Sequence, residues 1–89
     1  SLSPRYVPAF ADDLRRHNLR SRVERAVRQV CQAPDLGRPL GGALKGLRRR
    51  RLAGFRLIYR VVAERGEVWF YALLPRDAVY DEMVGRLED

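Results

Sequence analysis

The sequence has one cysteine and one histidine among its 89 residues. A lone Cys31 excludes an internal disulfide, and with His17 as its only histidine partner it leaves no ligand set for a structural zinc site. No metal is therefore expected, and Cys31 reads as a small buried apolar residue. Long apolar runs are missing too. The longest, Val68 to Leu74, falls far short of the ~18 residues of a membrane span. The first residues are not an apolar stretch behind basic ones, so no signal peptide is expected. These absences fit a reducing cytoplasm and a chain with no membrane partner. The length allows one domain, residues 1–89, and excludes dinucleotide folds and barrels, which need roughly 150 residues or more.

Acidic residues are scarce where basic ones are dense. The formal charge is +7. Residues 35–60 hold eight basic and one acidic side chain, a net of +7 in that segment alone. Residues 1–34 carry +4 and residues 61–89 carry −4. The focus is Arg48-Arg49-Arg50-Arg51, flanked by Lys45, Arg56 and Arg60. Such a patch attracts a polyanion, either nucleic acid or an acidic protein. Seventeen of the 18 basic residues are arginine, the residue suited to two-pronged phosphate binding.

The hydrophobic period locates the elements. Arg5-Tyr6-Val7 reads as a short first strand. Pro8 suits a helix start, and Phe10, Leu14 and His17 share one face of that helix. Leu19, Val23, Val27 and Val30 mark a second helix. Ser21 and Glu24 form a candidate capping box for it, with Asn18 as the alternative cap. Ala33-Pro34 ends it, since a residue before proline avoids the α region. Asp35 to Gly46 reads as a loop tethered to the core by Leu40, Leu44 and Leu47.

Beyond the loop the period falls to two. Leu47 to Arg51 is a charged strand, Leu52-Ala53-Gly54 a turn, and Phe55, Leu57, Tyr59 and Val61 alternate with Arg56, Ile58, Arg60 and Val62. Val68 to Leu74 is apolar on both faces and reads as a central strand ended by Pro75. Asp77 is placed to cap a last helix with Val79, Met83 and Leu87 on one face. Hairpin-length connections imply antiparallel pairing. The fold class is α+β: two N-terminal helices packed on a small, mainly antiparallel sheet of about four strands, with a short C-terminal helix. The helices are expected on one face of the sheet. Tyr59, Trp69, Phe70 and Tyr71 read as sheet core rather than base-stacking aromatics, and so do Phe10 and Phe55.

Several of these residues form a pattern. Leu44-Lys45-Gly46, the charged strand, Gly54-Phe55-Arg56-Leu57-Ile58-Tyr59-Arg60-Val61, then Arg76 and Val79-Tyr80 resemble the RelE/ParE toxin superfamily over essentially the whole chain. The likeness is nearer to the RelE branch, whose members are ribosome-dependent mRNA endonucleases restrained by an antitoxin. It implies a toxin of a type II toxin–antitoxin system that cleaves mRNA by 2′-OH attack and needs no metal or organic cofactor. The implied partners are a cognate antitoxin, the ribosome and mRNA. The alternative is a ParE-like toxin that binds and poisons DNA gyrase. Carried over by position, the catalytic set is Arg48, Arg50, Arg56, Arg76 and Tyr80. Arg49 and Arg51 are the alternatives one residue along the strand. Lys45, Arg49, Arg51 and Arg60 are expected to bind RNA.

The strand carries only arginines where RelE has lysines. Metal-free RNA cleavage must deprotonate the 2′-OH, hold an in-line geometry, neutralise the extra negative charge and protonate the leaving 5′-oxygen. Arginines at alternate strand positions share a face and suit the third task. Arginine is a poor base because it stays protonated. That leaves Tyr80 or Lys45 for proton transfer, with ribosomal groups contributing. His17 matches no site position and reads as a helix-end or core histidine.

Overall fold

The computed structural model describes residues 1–88. Five strands form one sheet: β1 (Ser3–Tyr6), β2 (Arg38–Pro39), β3 (Arg48–Leu52), β4 (Phe55–Val62) and β5 (Glu67–Pro75). Their spatial order is β1-β5-β4-β3-β2. β1 runs parallel to β5, and every other pairing is antiparallel. The α+β class holds. The fifth strand is β2, two residues inside the expected loop, where Arg38 pairs with Arg49 and Pro39 with Arg48. Two residues leave no periodicity to read, and proline is tolerated because this strand is an edge.

Three α-helices cover the sheet: α1 (Pro8–Arg16), α2 (Arg20–Gln32) and α3 (Val79–Glu88). They are not on one face. Phe10 of α1 and Val23, Ala26, Val27 and Val30 of α2 bury against Leu57, Tyr59, Val68, Phe70 and Leu73. Val79 and Met83 of α3 bury with Leu44, Leu47, Ile58, Ala72 and Leu74. Leu57 and Ile58 are adjacent on β4, so these two cores lie on opposite faces of the sheet. A strand apolar on both faces needs cover on both, and α3 supplies the second layer.

Helix ends depart from expectation. α2 starts from Leu19 with no side-chain cap, so neither Ser21 nor Asn18 closes it. Asp77 lies inside a single 3₁₀ turn, Arg76–Ala78, that leads into α3, and does not cap the helix. Leu87 stays exposed while Val79 and Met83 are buried. His17 ends α1 and packs its ring on Phe55, 4.5 Å between centroids.

β5 carries a bulge. Ile58 faces Ala72 but Tyr59 faces Phe70, so Tyr71 is the extra residue. Phe70 and Leu73, three apart, therefore both reach the α1–α2 core. β1 pairs with β5 only as far as Phe70. Beyond it, the carboxylate of Asp13 on α1 accepts the Leu73 N–H at 2.9 Å. Arg86 of α3 donates to both oxygens of that carboxylate, at 2.9 and 2.8 Å, and to the Tyr71 carbonyl at 3.3 Å. Asp13 is 1% exposed, and its charge is neutralised by this fork. The Arg86 guanidinium is held above its usual range, mainly by its hydrogen bonds to Asp13. One ion pair thus finishes the open part of the β5 edge and fastens α3 to the far layer.

Candidate active site

The β3–β4 hairpin decides which arginines meet. Its turn is two residues, Ala53 and Gly54, with Leu52 opposite Phe55. Ala53 takes a positive φ of 56°. From that closure the register runs Arg51 to Arg56, Arg50 to Leu57, Arg49 to Ile58 and Arg48 to Tyr59. Cross-strand partners share a face. Arg49 and Arg51 therefore lie on the α3 side with Arg56. Arg48 and Arg50 lie on the α1–α2 side with Tyr59 and Leu57.

The pairing of Arg48 and Arg50 with Arg56 is thus corrected. Arg48 donates to the Gly37 carbonyl at 2.6 Å and pairs with Asp35 at 3.8 Å. Arg50 donates to the Gln29 side chain of α2 at 2.7 Å. Both are occupied in holding the loop and α2 to the sheet. The same region is packed around Tyr59, whose hydroxyl donates to the Pro34 carbonyl at 2.7 Å and accepts the Gly37 N–H at 2.8 Å. A Cβ at Gly37 would sit 2.5 Å from that hydroxyl oxygen.

On the α3 side two hollows adjoin. One, of about 320 Å³, includes Leu40, Leu44, Arg49, Arg56, Val79 and Tyr80 in its lining. The other, of about 450 Å³, includes Arg51, Ala53, Gly54 and Arg56. Arg56, Arg76 and Asp77 line both. Arg76 is brought there by the backbone: its N–H donates to the Gly54 carbonyl at 3.0 Å, tying the end of β5 to the hairpin turn. Tyr80 enters from the first turn of α3 and is 57% exposed.

Arg56 sits between the hollows, 7% exposed. Its Nη1 donates only to backbone, to the Phe55 carbonyl at 2.8 Å and the Ala53 carbonyl at 3.4 Å. Burial pulls its guanidinium below the usual range, and the charges of Arg51, Arg49 and Arg76 pull the same way, against Asp77. A buried cation surrounded by cations is unstable unless something anionic joins it. Asp77 makes an ion pair with Arg76 at 3.4 Å, one carboxylate against four guanidinium groups.

Arg49, Arg51, Arg56, Arg76 and Tyr80 are therefore together. Lys45 is exposed at the end of the Gly42–Leu44 turn and lines neither hollow. Arg60 is exposed on the Arg56 face of β4, but four residues along, about 13 Å at strand rise. The sequence reading missed Asp77, Leu40 and Leu44 as lining residues. Asp77 could have been found from its place next to Arg76. Among the described residues no group of three or more His, Cys, Asp or Glu is arranged to hold a metal ion, and no helix is long and apolar enough to cross a membrane.

Residues 4–80 match the family model of the ParE toxin of the type II toxin–antitoxin system parDE. The chain belongs to this family. No curated protein matches the sequence significantly. Among solved structures, the family fold recurs in the RelBE2 toxin–antitoxin complex from Mycobacterium tuberculosis, at 26% identity and a TM-score of 0.75, covering 84% of this chain and 98% of that one. The isolated RelE toxin from Escherichia coli is similar at 21% identity and a TM-score of 0.71, covering 98% and 99%. A YoeB/ParE toxin from Agrobacterium tumefaciens is similar at 23% identity and a TM-score of 0.70, covering 83% and 98%.

Proposed function

We propose that this toxin is a ribosome-dependent endoribonuclease of the RelE kind, cleaving mRNA in the cytoplasm and so inhibiting translation, and that a cognate antitoxin restrains it. The observation that carries this reading is the convergence of Arg49, Arg51, Arg56 and Arg76 on two adjoining hollows, with Tyr80 at the rim of one. A scissile phosphate held by Arg56 and Arg76 has guanidinium groups on both sides. They bind its non-bridging oxygens and the charge that grows as the 2′-oxygen attacks and the 5′-oxygen leaves. The products are a cyclic phosphate and a free 5′-hydroxyl. Arg56 is already desolvated and fixed by its backbone bonds, so little reorganisation is needed when charge develops. Tyr80 is the proton-carrying side chain at the site, and the ribosome orders the mRNA for in-line attack. Lys45 and Arg60, outside the hollows, contact the RNA strand or ribosomal RNA. Support for an antitoxin comes from the toxin–antitoxin complexes among the similar structures.

The second reading is a toxin that binds DNA gyrase, favoured by the ParE description of the matching family. Primer extension on mRNA after brief induction separates the two. Discrete cuts within reading frames establish the nuclease. Intact mRNA with DNA damage establishes the gyrase poison. The nuclease is expected to cut ribosome-bound mRNA in a chelator, with ribosomes held intact by polyamines. Cleavage restored only by one metal ion would overturn the arginine mechanism.

A further inference from the structure

On the sheet face turned away from α1 and α2, one row of residues crosses three strands. Arg5 of β1 pairs with Trp69 of β5, and Trp69 pairs with Arg60 of β4. Cross-strand partners share a face. Trp69 departs from the sheet-core expectation: it is half-buried and joins neither hydrophobic core. Its indole N–H donates to Glu67 at 3.1 Å. The same carboxylate, 8% exposed, accepts from Arg5 Nε at 2.9 Å and pairs with Arg65 at 3.7 Å. The indole is thus pinned at its edge, which leaves a ring face for stacking. Arg60 is exposed and has no acidic partner among the described residues, so the one carboxylate is outnumbered by Arg5, Arg60 and Arg65.

We infer that the Arg5–Trp69–Arg60 row is a docking platform for single-stranded RNA, separate from the two hollows. One base stacks on Trp69 while the phosphates on either side of it pair with Arg60 and Arg5. A flat aromatic between cations on an open sheet suits a strand whose bases are free to splay and whose backbone is anionic. Arg5 spends only its Nε on Glu67 and keeps both Nη groups for a phosphate. An acidic peptide would use the same cations but brings no flat group to the indole. The platform does not extend the hollows. Ile58, which separates Arg56 from Arg60 on β4, is buried with Leu44, Leu47 and Met83, so a covered stretch lies between the two sites. The platform holds RNA and takes no part in the chemical step, and it goes beyond the nuclease reading without depending on it.

The test reads the fluorescence of Trp69, the only tryptophan in the chain. Free toxin is titrated with a short single-stranded 2′-O-methyl oligonucleotide, with the same backbone lacking its bases, and with poly-glutamate. The oligonucleotide should quench the indole. The abasic strand should bind roughly tenfold more weakly, the loss expected of one stacked base, and leave the emission unchanged. Trp69→Leu, which keeps apolar cover on the sheet, should show the same tenfold loss, and Trp69→Phe should recover most of the affinity. Arg60→Ala should reduce the slope of log affinity against log salt by about 0.7, one phosphate contact to a single strand. Melting curves confirm that the variants are folded, and the wild-type quench does not depend on them. Arg56→Met should keep the quench. Equal affinity for the abasic strand, or an indole indifferent to RNA, overturns the platform. A quench lost with Arg56 returns the binding to the hollows and overturns it as well. Poly-glutamate that quenches as strongly as the oligonucleotide assigns the row to an acidic protein instead. The nuclease reading fails separately: a full quench with ribosome-bound mRNA left intact keeps the platform and loses the reaction. Cleavage without any quench keeps the reaction and loses the platform.

Discussion

Four consecutive arginines on β3 meet two different fates. Arg48 and Arg50 face α2, where a backbone carbonyl, a half-paired aspartate and a glutamine side chain occupy them. Arg49 and Arg51 face the α3 side, with no acidic partner among the described residues, and add their charge to Arg56 and Arg76. The residue type is the same and the positions are adjacent. What differs is the face of the pleat. On the helical face an arginine is a structural clamp, because its guanidinium bonds to the loop or to α2 and its stem covers apolar surface, although the buried Nε of Arg50 has no partner among the described residues. On the other face it is a stored demand for an anion. Structural bonding and unpaired positive charge thus alternate along four residues, and substitutions can be sorted by parity.

The largest effect on stability is expected at a third arginine, Arg86, whose fate is that of the clamps. Asp13→Ala leaves Arg86 and the Leu73 N–H without their acceptor. Breaking a buried pair by removing one partner costs about 3–5 kcal/mol. Chemical denaturation should show that loss, with α3 the first segment to lose amide protection. A loss under about 1 kcal/mol would mean the clamp is replaced by solvent.

Arg56→Met should behave in the opposite way. Removal of one preorganised donor to a developing oxyanion costs roughly 100-fold or more in rate. The same change relieves repulsion with Arg49, Arg51 and Arg76 while keeping most of the buried volume. Cleavage should collapse and the melting temperature should hold or rise. A variant that loses both together would make Arg56 a structural residue.

Arg48→Ala with Arg50→Ala should be smaller in effect and confined to stability. Two charge-assisted bonds at half-buried positions are worth roughly 1–3 kcal/mol together. Cleavage per folded molecule should match wild type. The smallest effect lies at the far edge of the sheet. The carboxyl of Glu67 is held below the usual carboxylate range, chiefly by its hydrogen bond from Arg5, against the opposing effect of burial. A depressed folded pKa contributes stability that is present above the unfolded value of about 4.3 and is lost as pH falls through the folded value. Glu67→Gln should flatten the acid limb of the melting profile and leave cleavage unchanged.

Much of this fold was legible because its elements have clean periods. The α1 and α2 faces, the two-sided apolar strand Val68 to Leu74 and the halt at Ala33-Pro34 are each written in local residue choice, and the structure follows them. The side on which α3 packs was not legible. Its apolar stripe says that it buries, but only the alternation of Leu57 and Ile58 into different cores says where. The Tyr71 bulge and the two-residue β2 leave no pattern at all.

The site was half legible for a similar reason. Arg56, Arg76 and Tyr80 come together as the family resemblance implied, but the β3 pair slipped by one. Reading Leu52-Ala53-Gly54 as a three-residue turn loses the register. A two-residue turn closed by Leu52 and Phe55 sets Arg51 against Arg56 and Arg49 against Ile58. A slip of one residue sends a whole strand's side chains to the other face. The buried phenylalanine and tyrosine residues offered no rival reading once Tyr59 and Phe70 proved fully enclosed.

The most direct measurement of parity as the rule is a pair of double variants in one assay. Ribosomes programmed with a defined mRNA are treated with wild type, with Arg48→Ala/Arg50→Ala and with Arg49→Ala/Arg51→Ala, and the cleavage rate per folded toxin is read by primer extension. The account predicts a wild-type rate for the even-numbered pair, and a fall of roughly 100-fold or more for the odd-numbered pair with an unchanged melting temperature. An equal loss in both pairs, or a loss in the even-numbered pair alone, would contradict it.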